Sequence, residues 1–205
     1  MRVFSIVTVC LINLLIGIRY VVLLRRGSIR PALAMWVFFT IATVGSLATY
    51  LAEADYSLLD NILNTSDIVL VSFVSIAIWI YGDHSTRFTR FDLGCLAAVL
   101  GILVAWILSN QHVVAHAAIQ LILVTAYLPV IRRLWRAERN TESYVMWVGL
   151  AIAPLLSLLS SQGMLATVYA VRASLCPALL LLLMIRTTLR ARRQIPHVKA
   201  ESSEA

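Results

Sequence analysis

The sequence predicts an all-α, polytopic membrane protein of seven transmembrane helices, with its N-terminus outside and its C-terminus in the cytoplasm. Three observations predict it. The 205 residues are 60% hydrophobic and 13% charged, and mean hydropathy is +0.87; a soluble domain is about 45–50% apolar and about 25% charged. Seven apolar runs follow one another, each near the roughly 20 residues that a spanning helix needs. The connections between the runs alternate between basic and non-basic, as cytoplasmic and external loops do. A soluble chain of this length would need more charge to cover its surface. High apolar content without low-complexity tracts excludes disorder.

The first run, 3–24, has only Arg2 before it and ends in Leu24-Arg25-Arg26. It lacks a small-residue cleavage site and reads as a retained helix, not a signal peptide. Arg25, Arg26 and Arg30 follow it; Glu53, Asp55 and Asp60 follow the second run, 32–51. The third, 67–82, leads to Asp83, Arg87, Arg90 and Asp92, and the fourth, 93–109, to Asn110, Gln111 and His112. The fifth, 113–134, precedes Arg136 and Arg139 and carries Arg132 and Arg133 at its end. Ser160, Ser161, Gln162 and Gly163 close the sixth, 144–161. The seventh, 166–186, runs into a tail at 190–205 with Arg190, Arg192, Arg193 and Lys199, read as basic, disordered and cytoplasmic. Seven spans put every basic loop on one side; six or eight break the alternation.

The net charge of +7 is explained by these loops and does not call for nucleic acid as a partner. Cys10, Cys95 and Cys176 each lie alone in an apolar run and imply neither disulfide nor metal. The sole lysine, Lys199, sits in the tail, so the last helix has no Schiff-base lysine for retinal. No Walker loop, HExxH or GxSxG motif is present. No pair of acids lies mid-membrane to suggest a carboxylate proton pump. The chain is therefore expected to be no enzyme and to need no cofactor.

A shift of 111 residues superposes 25–47 on 136–158 with eight identities in 23 positions. Among them are Arg25/Arg136, Met35/Met146, Trp36/Trp147, Val37/Val148 and Ser46/Ser157. Helices 1–3 then match helices 5–7, and helix 4 is a linker. This 3+1+3 plan makes the two triplets parallel repeats about an axis along the membrane normal. The units are 1–82, the linker 83–112, 113–189, and the tail 190–205.

The plan and several short motifs resemble the PQ-loop superfamily, which includes the SWEET sugar carriers. Tyr127-Leu128-Pro129 is similar to the "YLPQ" end of helix 5 in that family, with Val130 in place of the glutamine. Thr141-Glu142-Ser143 leading to Trp147 is similar to the loop before helix 6. Gly27-Ser28-Ile29-Arg30-Pro31 followed by Trp36, and Phe88-Thr89-Arg90-Phe91-Asp92, resemble small bacterial PQ-loop-like proteins. The resemblance implies a carrier of two rocking three-helix bundles in a bacterial inner membrane. Tyr127 and Pro129 would form a gate or hinge, whereas Ile18 stands at the first repeat's proline position.

Candidate functional residues are the polar ones inside the runs, since ionisable groups in a bilayer are costly. Arg172, about two turns into helix 7, would either pair with Asp67 at the outer start of helix 3 or bind an anionic group of a solute. His116 and Gln120 share one face of helix 5 through their i, i+4 spacing, with His112 before them. His116 would take up a proton or bond a backbone carbonyl. Asn13 would line the path or make an interhelical hydrogen bond. Trp36 and Trp147 would stack on a substrate or anchor the interface; Trp79 and Trp106 show no such pairing in the repeat. Arg19 would snorkel, and Pro154 and Pro177 would kink helices 6 and 7. The function expected is transport of a small polar or anionic solute, with a non-transporting receptor or accessory subunit as the alternative. The partners expected are the lipid bilayer and that solute, with a homo-oligomer left open.

Overall fold

A computed structural model describes residues 1–29, 33–82, 90–128, 131, 134–135, 140 and 143–201. Among them the chain is all-helical. The elements are α1 (Arg2–Arg25), α2 (Leu33–Glu53), a 3-10 turn (Leu58–Asn61), α3 (Ile62–Tyr81), α4 (Arg90–Ser109), α5 (His112–Thr125), α6 (Tyr144–Ser157) and α7 (Gly163–Glu201). Four stretches are long and apolar enough to cross a membrane: Arg2–Arg25, Trp36–Glu53, Leu58–Tyr81 and Gly163–Ala191. Leu93–Ser109, His112–Thr125 and Tyr144–Ser157 are apolar but shorter.

The side-chain distribution is inverted relative to a water-soluble bundle. Leu108 is 81% exposed and Trp79 69%, and Leu15, Val69 and Leu182 also point outward. Asn13, Ser46, Thr49, Asn64, His116 and Gln120 are buried instead. Water would reverse this arrangement, because apolar surface is driven inward there. A hydrocarbon solvent favours it, since each polar side chain must then find its partner inside the protein. Composition, helix length and this inversion together mark an integral membrane protein.

α3 packs between α1 and α2, and α7 packs on α6 and α5. α1 lies along α6, α2 along α5, and α4 covers α5 and α2. Close approach of α1 and α6 depends on Gly149, where an added Cβ would come within 2.9 Å of Ile16 Cδ1. Gly45 admits Leu103 of α4 in the same way, at 2.7 Å.

The helix ends collect in two layers. At one, Arg2 pairs with Asp60 and Ser5 meets Ser160 at 2.8 Å. Tyr50 there donates to the Gln162 carbonyl at 3.0 Å and stacks on Tyr56 with ring centroids 4.7 Å apart. Gly163 takes φ +79° beneath Tyr56, whose hydroxyl lies 2.5 Å from where a Cβ would stand. At the other layer, the Arg25 guanidinium lies 5.3 Å from the Tyr81 ring centroid, and the Tyr144 and Thr188 hydroxyls are 2.7 Å apart.

Three elements differ from the sequence reading. α3 begins at Ile62, not 67, because Asn61 caps it by accepting from the Asn64 N–H. Asp67 is thus inside the helix and not at its start. α5 ends at Thr125 with a turn at Ala126 and Tyr127, as suits a segment approaching a proline; Pro129 itself lies outside the described residues. α7 carries on through the basic segment to Glu201, where a disordered tail is expected. Leu189-Arg190-Ala191-Arg192-Arg193-Gln194 is a run of strong helix formers that carries the helix past the last apolar turn, and the helix runs on through Pro196, which cannot donate a backbone hydrogen bond to it.

The α1–α6 contact gives a first prediction. Gly149→Leu should overpack it, costing on the order of 1–3 kcal/mol, seen as a lower melting temperature in detergent. Adding Ile16→Ala should recover part of that loss.

Candidate functional site

Five helices each turn polar side chains inward at one-turn spacing. α2 contributes Ser46 and Thr49, α3 Asn64 and Asp67, α5 His116 and Gln120, α7 Tyr169 and Arg172, and α1 the single amide Asn13. Residues three or four apart share a helix face, so each pair reaches the same interior. Asn13, Gln120 and Arg172 lie about 12–17 Å along their helices from the Arg2 end, and the others nearer to it, by the helical rise.

The cluster is a branched hydrogen-bond network. Asn13 Nδ2 donates to Asp67 Oδ1 and to Ser66 Oγ, both at 2.9 Å. Tyr169 donates its hydroxyl proton to Asp67 Oδ2 at 2.8 Å. The Arg172 guanidinium lies over the Tyr169 ring, 4.6 Å from its centroid, and its Nε donates to Gln120 Oε1 at 3.0 Å. Gln120 Nε2 then donates to Ser46 Oγ at 2.8 Å and contacts His116 Nε2 at 3.2 Å. An amide nitrogen only donates, so this contact is a hydrogen bond in the tautomer whose Nε2 accepts and whose proton is on Nδ1. That nitrogen faces the Ser46 carbonyl and Thr49 Oγ1, both at 3.1 Å. The Asn64 amide is satisfied when its oxygen accepts from Ser46 Oγ and its nitrogen donates to the Thr43 carbonyl, each at 3.1 Å.

One acceptor is left over. Asn13 is buried and its Oδ1 has no partner, although it belongs to the amide that serves Asp67. An unmet buried acceptor costs about 1–3 kcal/mol, and it leaves this corner of the network one donor short.

The Arg172–Asp67 ion pair, one of the two readings of Arg172, is not formed. Tyr169 occupies the space between them and satisfies each through a different part of its side chain. Asn13, Asp67, His116, Gln120 and Arg172 do come together. Trp36, Trp147 and Tyr127 do not join them. These aromatics form a separate row, about 10–15 Å toward the Arg25 end by the helical rise. Trp36 meets Tyr20 edge-on at 4.9 Å and Phe39 at 6.4 Å. Phe39 meets Tyr127 at 6.1 Å, and Tyr127 meets Trp147 at 6.3 Å. The two tryptophans are therefore joined through two intervening rings and do not face each other across a shared space. His112 is drawn off to α4, accepting from Trp106 Nε1 at 2.7 Å. Arg19 is exposed on the outer face of α1.

Sequence reasoning missed Ser46, Thr49, Asn64, Ser66 and Tyr169. Ser46 carried a signal, being identical to Ser157 in the internal match. Tyr169 carried one too, three residues before Arg172 and so on the same helix face. Comparison of the chain with protein family models, curated proteins and solved structures finds no match.

The network gives a second prediction. Ser46→Ala removes one acceptor of Gln120 Nε2 and one of the two donors to the Asn64 oxygen, and should cost about 0.5–1.5 kcal/mol in thermal or denaturant unfolding. Thr8→Ala, on the exposed side of α1, should stay within about 0.5 kcal/mol.

Proposed function

We propose that this chain is a small carrier moving a polar or anionic solute by rocking of two three-helix bundles. The observation that carries the proposal is where the polar bonds run. Helices α1–α3 form one bundle and α5–α7 the other. Tyr169–Asp67, Gln120–Ser46 and His116–Thr49 all pass from one bundle to the other. A solute with hydrogen-bonding groups can replace such bonds one for one, which packed apolar contacts do not permit. Arg172 would hold its anionic group, Gln120 and His116 would orient it, and the free Asn13 Oδ1 beside Asp67 would accept from its donors.

Several features support the 3+1+3 plan within this reading. Replacing helices 1, 2 and 3 by 5, 6 and 7 maps the α1–α6 neighbour pair onto α5–α2, and the α3 contacts onto those of α7. The 111-residue shift also carries Ser5 onto His116 and Thr49 onto Ser160. Ser5 bonds Ser160 just as His116 bonds Thr49, so the two bundle interfaces are tied at equivalent positions. The positive-inside rule orients the Arg2 end outward and the Arg25 end toward the cytoplasm. This reading keeps the resemblance to PQ-loop and SWEET-like carriers and a bacterial inner membrane as its setting. In it, the Tyr20–Trp36–Phe39–Tyr127–Trp147 row is the inner gate, and the Ser5–Ser160 and Tyr50–Gln162 bonds are the outer one.

A receptor or accessory subunit on the same fold is the second reading. It is favoured by the closure of both gates and by a network that satisfies nearly all its members internally. Thermal stabilisation against sugars, amino acids, organic anions and nucleosides separates the two, followed by uptake of any hit into proteoliposomes. A bound ligand raises the melting temperature by mass action. The carrier reading expects a hit that is taken up, with affinity at least tenfold weaker in Arg172→Gln. A hit that binds but is never taken up supports the receptor. No hit, with Arg172→Gln merely less stable, leaves the arginine a structural element.

A further inference from the structure

Arg172 has a second environment besides the network. α5 and α7 touch only sparsely along their length, and a groove of about 520 Å³ opens between them. Its walls are apolar: Val124 of α5, and Val168, Val171, Leu175 and Leu179 of α7, with Arg172 among them. These aliphatic side chains are 39–64% exposed on the outer face of the bundle, so the groove opens sideways, toward lipid. From Val168 to Leu179 it runs about 17 Å along the helix, which suits a linear chain better than a compact solute.

The guanidinium is the one charge on this wall. Gln120 takes its Nε, and among the described residues no carboxylate lies within ion-pair distance of it. The opposite charge in its layer, Asp67, is held off by Tyr169, so this cation, facing an apolar groove inside a bilayer, lacks a direct ionic partner. The missing partner is an anion, and the groove adds that the anion carries a hydrocarbon tail. Arg172 is about 13 Å from the start of α7, close to the middle of a hydrocarbon core roughly 30 Å thick. A phospholipid headgroup anchored at the interface does not reach that depth. A single-chain carboxylate has a head small enough to do so.

We propose that the α5–α7 groove binds a medium-chain carboxylate anion from the bilayer side, its carboxylate on Arg172 and its chain along Val171, Leu175 and Leu179. Tail burial alone gives little preference, because lipid is as apolar as the groove. Selectivity comes from the charge-assisted pair, which is strong where water is excluded. The inference rests on the reading of Arg172 as a solute-binding residue and narrows the solute to an amphiphilic anion.

The test is equilibrium binding of radiolabelled decanoate to the full-length protein in nanodiscs of zwitterionic phospholipid. Decanol and acetate serve as competitors that carry only the chain or only the charge. The expected result is saturable binding, poor competition by either, and affinity at least tenfold weaker in Arg172→Gln. Leu175→Trp, which fills the groove and leaves the arginine in place, should weaken binding to a similar degree while the protein elutes as wild type in size exclusion. Equal competition by decanol, equal competition by acetate, or unaltered binding in Leu175→Trp would each overturn the proposal, as would binding no greater than to empty nanodiscs. Uptake of a water-soluble anion without decanoate binding would remove this inference and leave the carrier. Decanoate binding without uptake of any solute would do the reverse.

Discussion

Two charges of opposite sign lie in one layer of the bundle, and a tyrosine keeps them from meeting. Asp67 on α3 takes the Tyr169 hydroxyl, and Arg172 on α7 rests against the Tyr169 ring. Removal of an ion from water costs several kcal/mol even after relaxation, and a direct pair is the obvious way to recover it. Here each charge is met by neutral groups instead: Asn13 and Tyr169 for the carboxylate, Gln120 and the aromatic face for the guanidinium. The rest of the interior follows from that choice. Once Gln120 Oε1 serves Arg172, its nitrogen must donate elsewhere, and it reaches Ser46 and His116. Ser46 then reaches Asn64, and His116 turns its remaining proton to α2.

In the carrier reading, a separation of this kind leaves room for a solute that a closed pair does not. An Arg–carboxylate pair satisfies itself bidentately and resists exchange. A guanidinium on a ring face and a single amide oxygen retains donors for something else. The unpartnered Asn13 Oδ1 extends the argument to the other pole, where the carboxylate's own neighbour lacks a donor. Both poles of the network are thus open to a polar occupant, although its middle is saturated.

How much of this was legible depended on what each residue does to a pattern. Arg172, Asp67, His116 and Gln120 stand out because a charge, an imidazole or an amide interrupts an apolar run. Ser46, Thr49 and Ser66 do not, since a hydroxyl in a membrane helix bonds the preceding turn just as well, as Thr43 and Ser75 do here. Tyr169 breaks no apolar pattern, and its role shows only once α3 stands opposite it and Asp67 takes its hydroxyl. The start of α3 was misread for a related reason. Asn61, Asn64, Thr65, Ser66 and Asp67 make a polar stretch that looks like a loop. In the folded chain they are a cap and the inward face of a helix. Of the two readings of Arg172, a pair with Asp67 has both residues in the right layer, but nothing in the sequence shows that the Tyr169 side chain stands between them.

The two ends of the bundle are closed by different mixtures of polar and apolar contacts. At the Arg2 end the two bundles are joined by Ser5–Ser160, by Tyr50 to the Gln162 carbonyl, and by the Gln162 N–H to the Asp60 carbonyl. Water at the membrane surface can take over each of these, so each contributes only about 0.5–1.5 kcal/mol net. At the level of Tyr127 the closure is an aromatic row packed with Phe38, Phe39 and the α2–α5 apolar core. Parting those rings gives up dispersion contacts that water does not replace. Buried apolar contacts of Leu47 and Tyr50 with Leu165 and Ala166 add to the closure at the Arg2 end; in the carrier reading proposed above, opening that end would lead to His116, Gln120 and Arg172 while the aromatic row stays shut.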